Sequence, residues 1–254
     1  MKPFLPALRT AVAAFTILPV GAVRQLDTRA LALLPAVGCG AGAIAGTLGR
    51  LLSMRAPSRL APVAAAISYG STLFLTGALH ADGFLDAADA LFATTSPERR
   101  GEIMRDPHVG SFAVAAFSVV VAVSCASLAS LPARSLPSAL GFAAGTARCA
   151  SLANAFTTRY HGGGSAARAF SRALPPFELS IGVLVTLALG RRAFGTRAHT
   201  LMALAVFSAS IGAGLAIGRS AARRLDNAMT GDVYGFIIVV IEPLVLAATA
   251  VAQI

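Results

Sequence analysis

The chain has 254 residues, of which 56% are hydrophobic and only 13% charged, and its mean hydropathy is +0.73. This composition excludes an ordinary soluble domain, because charged residues make up about 25% of such domains. The net charge of +10 does not indicate nucleic acid, since the basic residues lie in short clusters between apolar runs. We therefore expect an integral membrane protein whose partner is the lipid bilayer.

The first segment, residues 4–20, mixes apolar residues with Pro6, Arg9 and Pro19. Prolines and an arginine inside such a short run favour a helix that lies at the membrane interface over one that crosses it. This N-terminal interfacial helix is the first predicted element.

Seven apolar stretches follow, most of them close to the roughly 20 residues that a spanning helix needs. Their approximate bounds are 31–51, 60–79, 111–131, 136–156, 177–189, 198–217 and 233–251. The first contains Gly38, Gly42 and Gly46, a spacing that lets a second helix approach closely. The sequence thus predicts one membrane-embedded domain over residues 1–254, an all-α polytopic bundle of about seven transmembrane helices.

The distribution of basic residues predicts the orientation of this bundle. Most of them fall on the side that holds the N-terminus and the loops at 80–108 and 159–172. The positive-inside rule then places that side in the cytoplasm and the C-terminus outside. We expect a multi-pass protein of the cell membrane, the inner membrane where there are two, with these loops on the cytoplasmic face.

An acidic motif follows the second span, where residues 80–92 read H-A-D-G-F-L-D-A-A-D-A-L-F. In a helix beginning at Asp82, the side chains of Asp82, Asp86 and Asp89 fall within an arc of about 60°. Such carboxylates repel one another unless a cation compensates them. Mg²⁺ is the natural candidate, because it binds oxygen and commonly joins one or two carboxylates to substrate phosphates. A solvated acidic turn at a helix N-terminus is the alternative.

Further polar residues lie just before the third span and inside the fourth. Arg105 and Asp106 follow Glu102 just before the third span, as members of either a surface ion pair or the site. Arg148 lies near the middle of the fourth span, where a charge requires a wet cavity or an anion.

Two more candidates lie later in the chain. Arg159 begins an Arg- and Gly-rich loop that is either a phosphate-binding segment or a basic topology signal. Thr230-Gly231-Asp232 places one more carboxylate at the start of the seventh span, where it could complete a metal site.

Three ordered motifs resemble those of the cobalamin synthase family, the adenosylcobinamide-GDP ribazoletransferases. Residues 77–90 resemble G-G-x-H-x-D-G-x-x-D-x-x-D-A, residues 102–110 resemble E-I-M-(R/K)-D-x-x-x-G, and residues 230–235 resemble T-G-D-x-x-G. Weaker agreement at 15–20 and 35–38 extends the resemblance over nearly the whole chain. The chain departs from the pattern at Ala78, which follows a single glycine, and at Val239, where the family carries an acid. Glu242 is the neighbouring acid.

The resemblance implies the last step of cobalamin nucleotide-loop assembly. A hydroxyl of α-ribazole, or of its 5′-phosphate, attacks the cobinamide-linked phosphorus of adenosylcobinamide-GDP and expels GMP, with Mg²⁺ as the cofactor. The implied metal ligands are Asp82, Asp86 and Asp89. The candidates for proton transfer are His80, Asp82, Asp89 and Asp232. The candidates for substrate contacts are Arg105, Asp106, Arg148, Arg159 and Thr230.

The sequence argues against two other functions. A membrane phosphotransferase of the CDP-alcohol type carries Ala-Arg after D-G-x-x, where this chain has Asp86-Ala87. A cation-coupled transporter usually holds its acids near the midplane and shows two similar halves, whereas only Glu242 lies deep here and no repeat is evident. A homo-oligomer is compatible with the sequence.

Overall fold

A computed structural model of the chain describes residues 4–21, 25–54, 57–170, 172–194 and 197–253. Within these ranges the fold is almost entirely helical, as predicted. The α-helices are α1 (Phe4–Phe15), α2 (Thr28–Ala32), α3 (Leu34–Ser53), α4 (Pro57–Leu75), α5 (Leu79–Phe92), α6 (Pro97–Ile103), α7 (Ser111–Ala129), α8 (Leu136–Leu152), α9 (Gly164–Phe170), α10 (Pro176–Phe194), α11 (Arg197–Arg224) and α12 (Gly231–Val251). Short 3-10 turns cover Ala133–Ser135 and Ala153–Phe156.

The predicted count of about seven membrane spans is not confirmed. Among the described residues, four helices are long and apolar enough to cross a bilayer, namely Leu34–Ser53, Ser111–Ala129, Thr200–Arg224 and Gly231–Val251. A fifth span results if α4 and α5, which meet at 90°, form one broken span. Helix α8 has only 17 residues, and α10 carries Glu178, Arg191 and Arg192 near its ends.

Helix α3 packs against α8 through the predicted glycine stripe. A Cβ on Gly42 would lie 2.5 Å from the carbonyl oxygen of Leu140, and one on Gly46 would collide with that of Leu136. No larger side chain fits at these distances, so the two glycines allow the backbones to touch. The small-residue spacing therefore identified a real helix–helix contact.

Helices α8 and α12 form the centre of the bundle. Nearly every residue of α8 is buried, and α12 is buried along most of its length. Their core side chains include Phe142, Ile237, Ile238 and Leu246, each of which is almost completely inaccessible. The beginning of α12 is therefore fixed relative to the remaining helices, and with it the third sequence motif.

The chain reverses sharply between α4 and α5. Gly77 and Ala78 both adopt left-handed backbone angles, with φ of 59° and 54°, and the Ala78 N–H donates to the carbonyl of Leu73. Helix α4 consequently ends at Leu75, and α5 begins at Leu79 instead of at the predicted Asp82. The acidic helix is one turn longer than expected.

Two short strands were not predicted. Strand β1 (Arg159–Tyr160) pairs in parallel with β2 (Ala228–Met229), and the N–H of His161 donates to the carbonyl of Met229. The pair joins the loop after α8 to the segment before α12, and so brings two of the predicted polar loops together.

Candidate active site

The site forms where α5 and α12 cross at two glycines. A Cβ on Gly83 would lie 2.9 Å from the Cα of Asp232, and one on Gly235 would lie 3.1 Å from the carbonyl oxygen of His80. Only glycine permits so close an approach of two helix backbones. Because Asp82 directly precedes Gly83, its carboxylate is brought to the start of α12, beside Asp232.

Four carboxylates gather around this crossing. The carboxylates of Asp82, Asp232 and Asp89 lie close enough to that of Asp86 to repel its negative charge. Asp82 is exposed, whereas Asp86 and Asp232 are half-buried. In the described ranges none of these four acids forms an ion pair with a basic side chain. The cluster is therefore a region of uncompensated negative charge, which favours the binding of a cation.

Asp89 is engaged differently from the other acids. Its Oδ2 accepts a hydrogen bond of 2.6 Å from the N–H of Gly110, and its Oδ1 accepts one of 3.1 Å from the N–H of Ala113. These amides form the N-terminal end of α7, so Asp89 acts as its cap from a different helix. Gly110 is required there, since a Cβ would lie 2.6 Å from the carboxylate.

The protein alone does not form a closed metal site. Within the described part of the chain, no three His, Cys, Asp or Glu side chains surround one common metal position. However, the side chains of Asp82 and Asp86 form no hydrogen bond or ion pair with any other described residue. Two free carboxylates one helical turn apart fit Mg²⁺, because this ion usually takes one or two carboxylates and completes its shell with substrate oxygens and water.

A polar cleft of about 290 Å³ opens on one side of Asp232. Arg105 and Thr230 line it, together with His161, which the β1–β2 pair brings there. The Thr230 hydroxyl lies 3.2 Å from Oδ2 of Asp232 and orients that carboxylate. The cleft thus combines an arginine from the motif at 102–110 with a hydroxyl and a carboxylate from the motif at 230–235, and the carboxylates of Glu98 and Asp226 also line it.

An aromatic cavity of about 300 Å³ opens on the other side of Asp232, which lines both spaces. Its walls include Tyr160, Phe170 and Tyr234. The rings of Tyr160 and Phe170 stack at 4.6 Å with an interplanar angle of 2°, and Phe170 contacts Tyr234 at 4.4 Å. Burial and then the charge of Asp232 raise the pKa of the Tyr160 phenol, so this side chain remains neutral.

His80 and Asp82 also line the aromatic cavity. The Nε2 atom of His80 is buried, and it has no hydrogen-bond partner among the described residues. A buried polar atom without a partner is unfavourable unless a ligand or water satisfies it. His80 therefore has one ring nitrogen that is buried behind the cavity surface and unpaired within the described part of the chain.

Three predicted substrate-binding residues lie elsewhere. Arg148 is buried in the core, where its Nη1 is 3.4 Å from Oε2 of Glu242. Arg159 is exposed on β1 and lines neither space. Asp106 is exposed and accepts a 2.9 Å hydrogen bond from the backbone N–H of His108, and the bonds from His108 lower the pKa of its carboxyl.

Glu242 does not replace the acid that the family motif places at Val239. Val239 is itself buried, and the carboxylate of Glu242 is directed to Arg148 in the bundle core. The anion that a buried Arg148 was expected to require is therefore supplied by the protein.

The sequence analysis missed the aromatic walls of the cavity. One signal was available, because Tyr234 lies inside the motif at residues 230–235. Tyr160 and Phe170 flank the glycine-rich loop, and the phosphate-binding prediction for that loop rests on its backbone and arginines alone. No periodicity of the sequence indicates that these three residues meet.

Comparison with known proteins agrees with the three motifs. The family model for cobalamin-5-phosphate synthase matches residues 7–250. A protein of Deinococcus radiodurans named adenosylcobinamide-GDP ribazoletransferase is 38% identical, and the alignment covers 96% of this chain and 86% of the relative. Proteins of the same name from Bradyrhizobium diazoefficiens and Stutzerimonas stutzeri are 33% and 30% identical, with coverage of 90% and 98% of this chain and 86% and 98% of the relatives. No solved structure matches. The chain therefore belongs to the cobalamin-5-phosphate synthase family.

Proposed function

We propose that this chain joins adenosylcobinamide-GDP to α-ribazole or its 5′-phosphate, with release of GMP, and that Asp82 and Asp232 lie at the reaction centre. The observation that carries the proposal is the close crossing of α5 and α12 at Gly83 and Gly235. It sets acids of two family motifs side by side, and one of them, Asp232, lines both the polar cleft and the aromatic cavity. Two substrates of different chemistry can then meet at one carboxylate.

Asp82 and Asp86 are the proposed ligands of Mg²⁺, together with oxygens of the diphosphate. When bound, the ion would neutralise negative charge that develops on the phosphoryl oxygens. Asp89 is omitted from this set because both of its oxygens already accept hydrogen bonds from α7. The proposed metal site thus has two protein ligands, whereas the resemblance implied three.

The diphosphate is proposed to lie in the polar cleft, where Arg105 can donate to phosphoryl oxygens and Thr230 can hold Asp232 in position. The ribazole hydroxyl oxygen forms a bond to the cobinamide-linked phosphorus, and the bond from that phosphorus to the GMP oxygen breaks. GMP leaves with the electron pair, and Asp232 accepts the hydroxyl proton. Asp232 suits this role because it lines both spaces.

The cluster is also proposed to face the cytoplasm, in a multi-pass protein of the cell membrane. The excess of basic residues in the loops on this side supports that orientation. Residues from the segments 80–108, 159–170 and 230–235 line both the polar cleft and the aromatic cavity.

The direct test supplies purified protein in detergent with adenosylcobinamide-GDP, α-ribazole and Mg²⁺. Cobalamin and GMP are expected to form in equal amounts, and chelation by EDTA should stop turnover until Mg²⁺ is restored. Natively folded protein that gives neither product would refute the proposed reaction. Turnover that persists in EDTA would refute the metal requirement alone.

A further inference from the structure

We infer that a groove on the side of the bundle, between α5, α11 and α12, binds an anionic phospholipid, with an acyl chain in the groove and the phosphate at Arg224. This lateral groove has a volume of about 410 Å³ and shares none of its described lining residues with the polar cleft or the aromatic cavity. The inference goes beyond the proposed function and does not depend on it. It rests on the walls of the groove, on its place in the bundle and on the charge at one end.

The walls of the lateral groove are almost entirely apolar. Ile217, Ser220, Ala221 and Arg224 lie on one face of α11, because residues three, four and seven positions apart share a face of a helix. The other lining residues are apolar and come from α5 and α12, namely Leu91, Phe92, Phe236 and Val240. Among the described residues, no acidic side chain lines the groove. Such walls suit a hydrocarbon chain and not a nucleotide, whose polar groups would be buried without partners.

The lateral groove extends from one end of the bundle into its membrane-spanning part. Helices α11 and α12 both contain segments that are long and apolar enough to cross a bilayer. Arg224 is the last residue of α11, and Ile217 lies about 10 Å further towards the centre of that helix. Val240 lies about 14 Å from the start of α12 at Gly231. The charged end of the groove is therefore at the level of lipid headgroups, and its apolar end is at the level of acyl chains.

Two arginine side chains lie at the headgroup end. Nη1 of Arg224 donates a hydrogen bond of 2.7 Å to the carbonyl oxygen of Leu91, which orients the guanidinium and uses one of its N–H donors. Nη2 of Arg100 donates one of 3.0 Å to the carbonyl oxygen of Ala93, and its Nη1 lies 3.5 Å from the carbonyl oxygen of Arg224. In the described ranges, neither arginine forms an ion pair with an acidic side chain. Two oriented guanidinium groups without a counter-ion favour a phosphate.

An anionic phospholipid supplies both the acyl chain and the phosphate that these features select. Basic pockets between membrane helices bind the headgroups of such lipids. A free phosphate would leave the apolar walls uncovered. A zwitterionic lipid would bring a second, positive group close to Arg224 and Arg100.

A single tryptophan can report the occupant of the lateral groove, because the chain has none. Phe92→Trp places the fluorophore in the wall of the groove. Phe74→Trp is the matched control, since Phe74 is 73% exposed and lines neither the groove, the cleft nor the cavity. Both variants are reconstituted in phosphatidylcholine vesicles with a small fraction of brominated phosphatidylglycerol or brominated phosphatidylcholine, whose bromine atoms quench a nearby tryptophan. Quenching at position 92 should show an affinity for phosphatidylglycerol about fivefold higher or more, as expected for an arginine at an anionic headgroup, and quenching at position 74 should show no preference.

Substitutions in the Phe92→Trp background separate a site from general attraction to a basic surface. Arg224→Gln should abolish the preference for phosphatidylglycerol. Arg223→Gln removes the same charge one residue away, outside the groove, and should retain most of the preference. Ser220→Phe fills the groove at an exposed position and leaves every arginine in place, so it provides a test even if Arg224→Gln does not fold. It should reduce the quenching by both brominated lipids.

Each alternative occupant predicts a different result. The inference is wrong if phosphatidylglycerol is not preferred at position 92, if the two arginine variants lose the preference equally, or if Ser220→Phe leaves the quenching unchanged. Displacement of phosphatidylglycerol by excess inorganic phosphate would assign the arginines to a soluble anion. Loss of quenching as the protein-to-lipid ratio rises would assign the groove to a second copy of the chain.

Discussion

Asp82 and Asp89 belong to one motif but lie in different surroundings. Asp82 is exposed and lines the aromatic cavity, and among the described residues no side-chain hydrogen bond or ion pair holds it. Both carboxylate oxygens of Asp89 accept hydrogen bonds from backbone amides at the start of α7. The helical spacing predicts the same role for both residues, because it shows only that they share one face of α5. It does not show which helix packs against that face.

We expect the substitution of these two acids by asparagine to have different effects. Asp82→Asn should lower turnover on the order of 100-fold or more without a change in folding, because it removes a proposed ligand charge. Asp89→Asn should retain most activity and lower the free energy of unfolding by about 1 kcal/mol, through a weaker cap on α7. GMP release and thermal melting in detergent measure the two effects. Equal losses of turnover in stable proteins would contradict the separation.

Arg148 and Glu242 form an ion pair in the core of the bundle, and its stability can be tested by substitution. Their side chains are 2% and 7% exposed, so removal of one partner leaves the other as an isolated buried charge. We expect Glu242→Gln to lower the free energy of unfolding by roughly 3–5 kcal/mol. Melting in detergent checks this value.

The double variant Arg148→Met with Glu242→Leu is the control, since it removes both charges together. It should be more stable than Glu242→Gln, as expected when no uncompensated charge remains. If Arg148→Met is instead fully stable and only loses affinity for adenosylcobinamide-GDP, Arg148 is a substrate ligand and our structural assignment is wrong.

Sequence reasoning predicted the residues of the cluster better than it predicted their partners. Asp82 and Asp232 meet because Gly83, the residue after Asp82, packs directly against the backbone of Asp232. The partner of Arg148 lies 94 residues away in the chain. A contact of that kind depends on the packing of α8 against α12, which no local pattern specifies.

At the level of helices, the glycine stripe of α3 gives a test with an internal control. Gly42→Ala should destabilise the protein by about 1–3 kcal/mol, because its Cβ would lie 2.5 Å from a backbone oxygen that cannot move freely. Gly40→Ala adds the same methyl group to the same helix where nothing lies within 4 Å. Its effect should be neutral or slightly stabilising, since alanine favours helix. Circular dichroism on heating compares the two, and equal melting temperatures would show that the α3–α8 contact tolerates a methyl group.

The positions of the long helices could be predicted, but their breaks could not. The apolar stretches of the sequence predicted the positions of α3, α7 and α12 closely, because the thickness of the bilayer sets the length and the composition of a spanning helix. The reversal after Leu75 depends on two left-handed residues, and one of them is Ala78, which rarely adopts that conformation. The β1–β2 pair has only two residues in each strand, too few for an alternation to be recognised.

For the whole molecule, the number of spans affects the expected sidedness. Within the described ranges, four or five helices are long and apolar enough to cross a bilayer, whereas the predicted orientation assumes seven spans. The structure nevertheless brings the three polar motifs to one end of the bundle, beside the N-terminus of α7. Sidedness can therefore be tested at the two ends of α7 without an assumption about the other helices.

Single cysteines in a cysteine-free variant measure that sidedness. Thr94 is exposed near the cluster, and Ser130 is exposed beyond the opposite end of α7. If the cluster faces the cytoplasm, a membrane-impermeant maleimide added to intact spheroplasts should label Ser130→Cys and leave Thr94→Cys unmodified. Permeabilised cells should label both, which controls for accessibility. Labelling of Thr94→Cys alone in intact spheroplasts would reverse the orientation, and would require the nucleotide substrate and GMP to be handled outside the cell membrane.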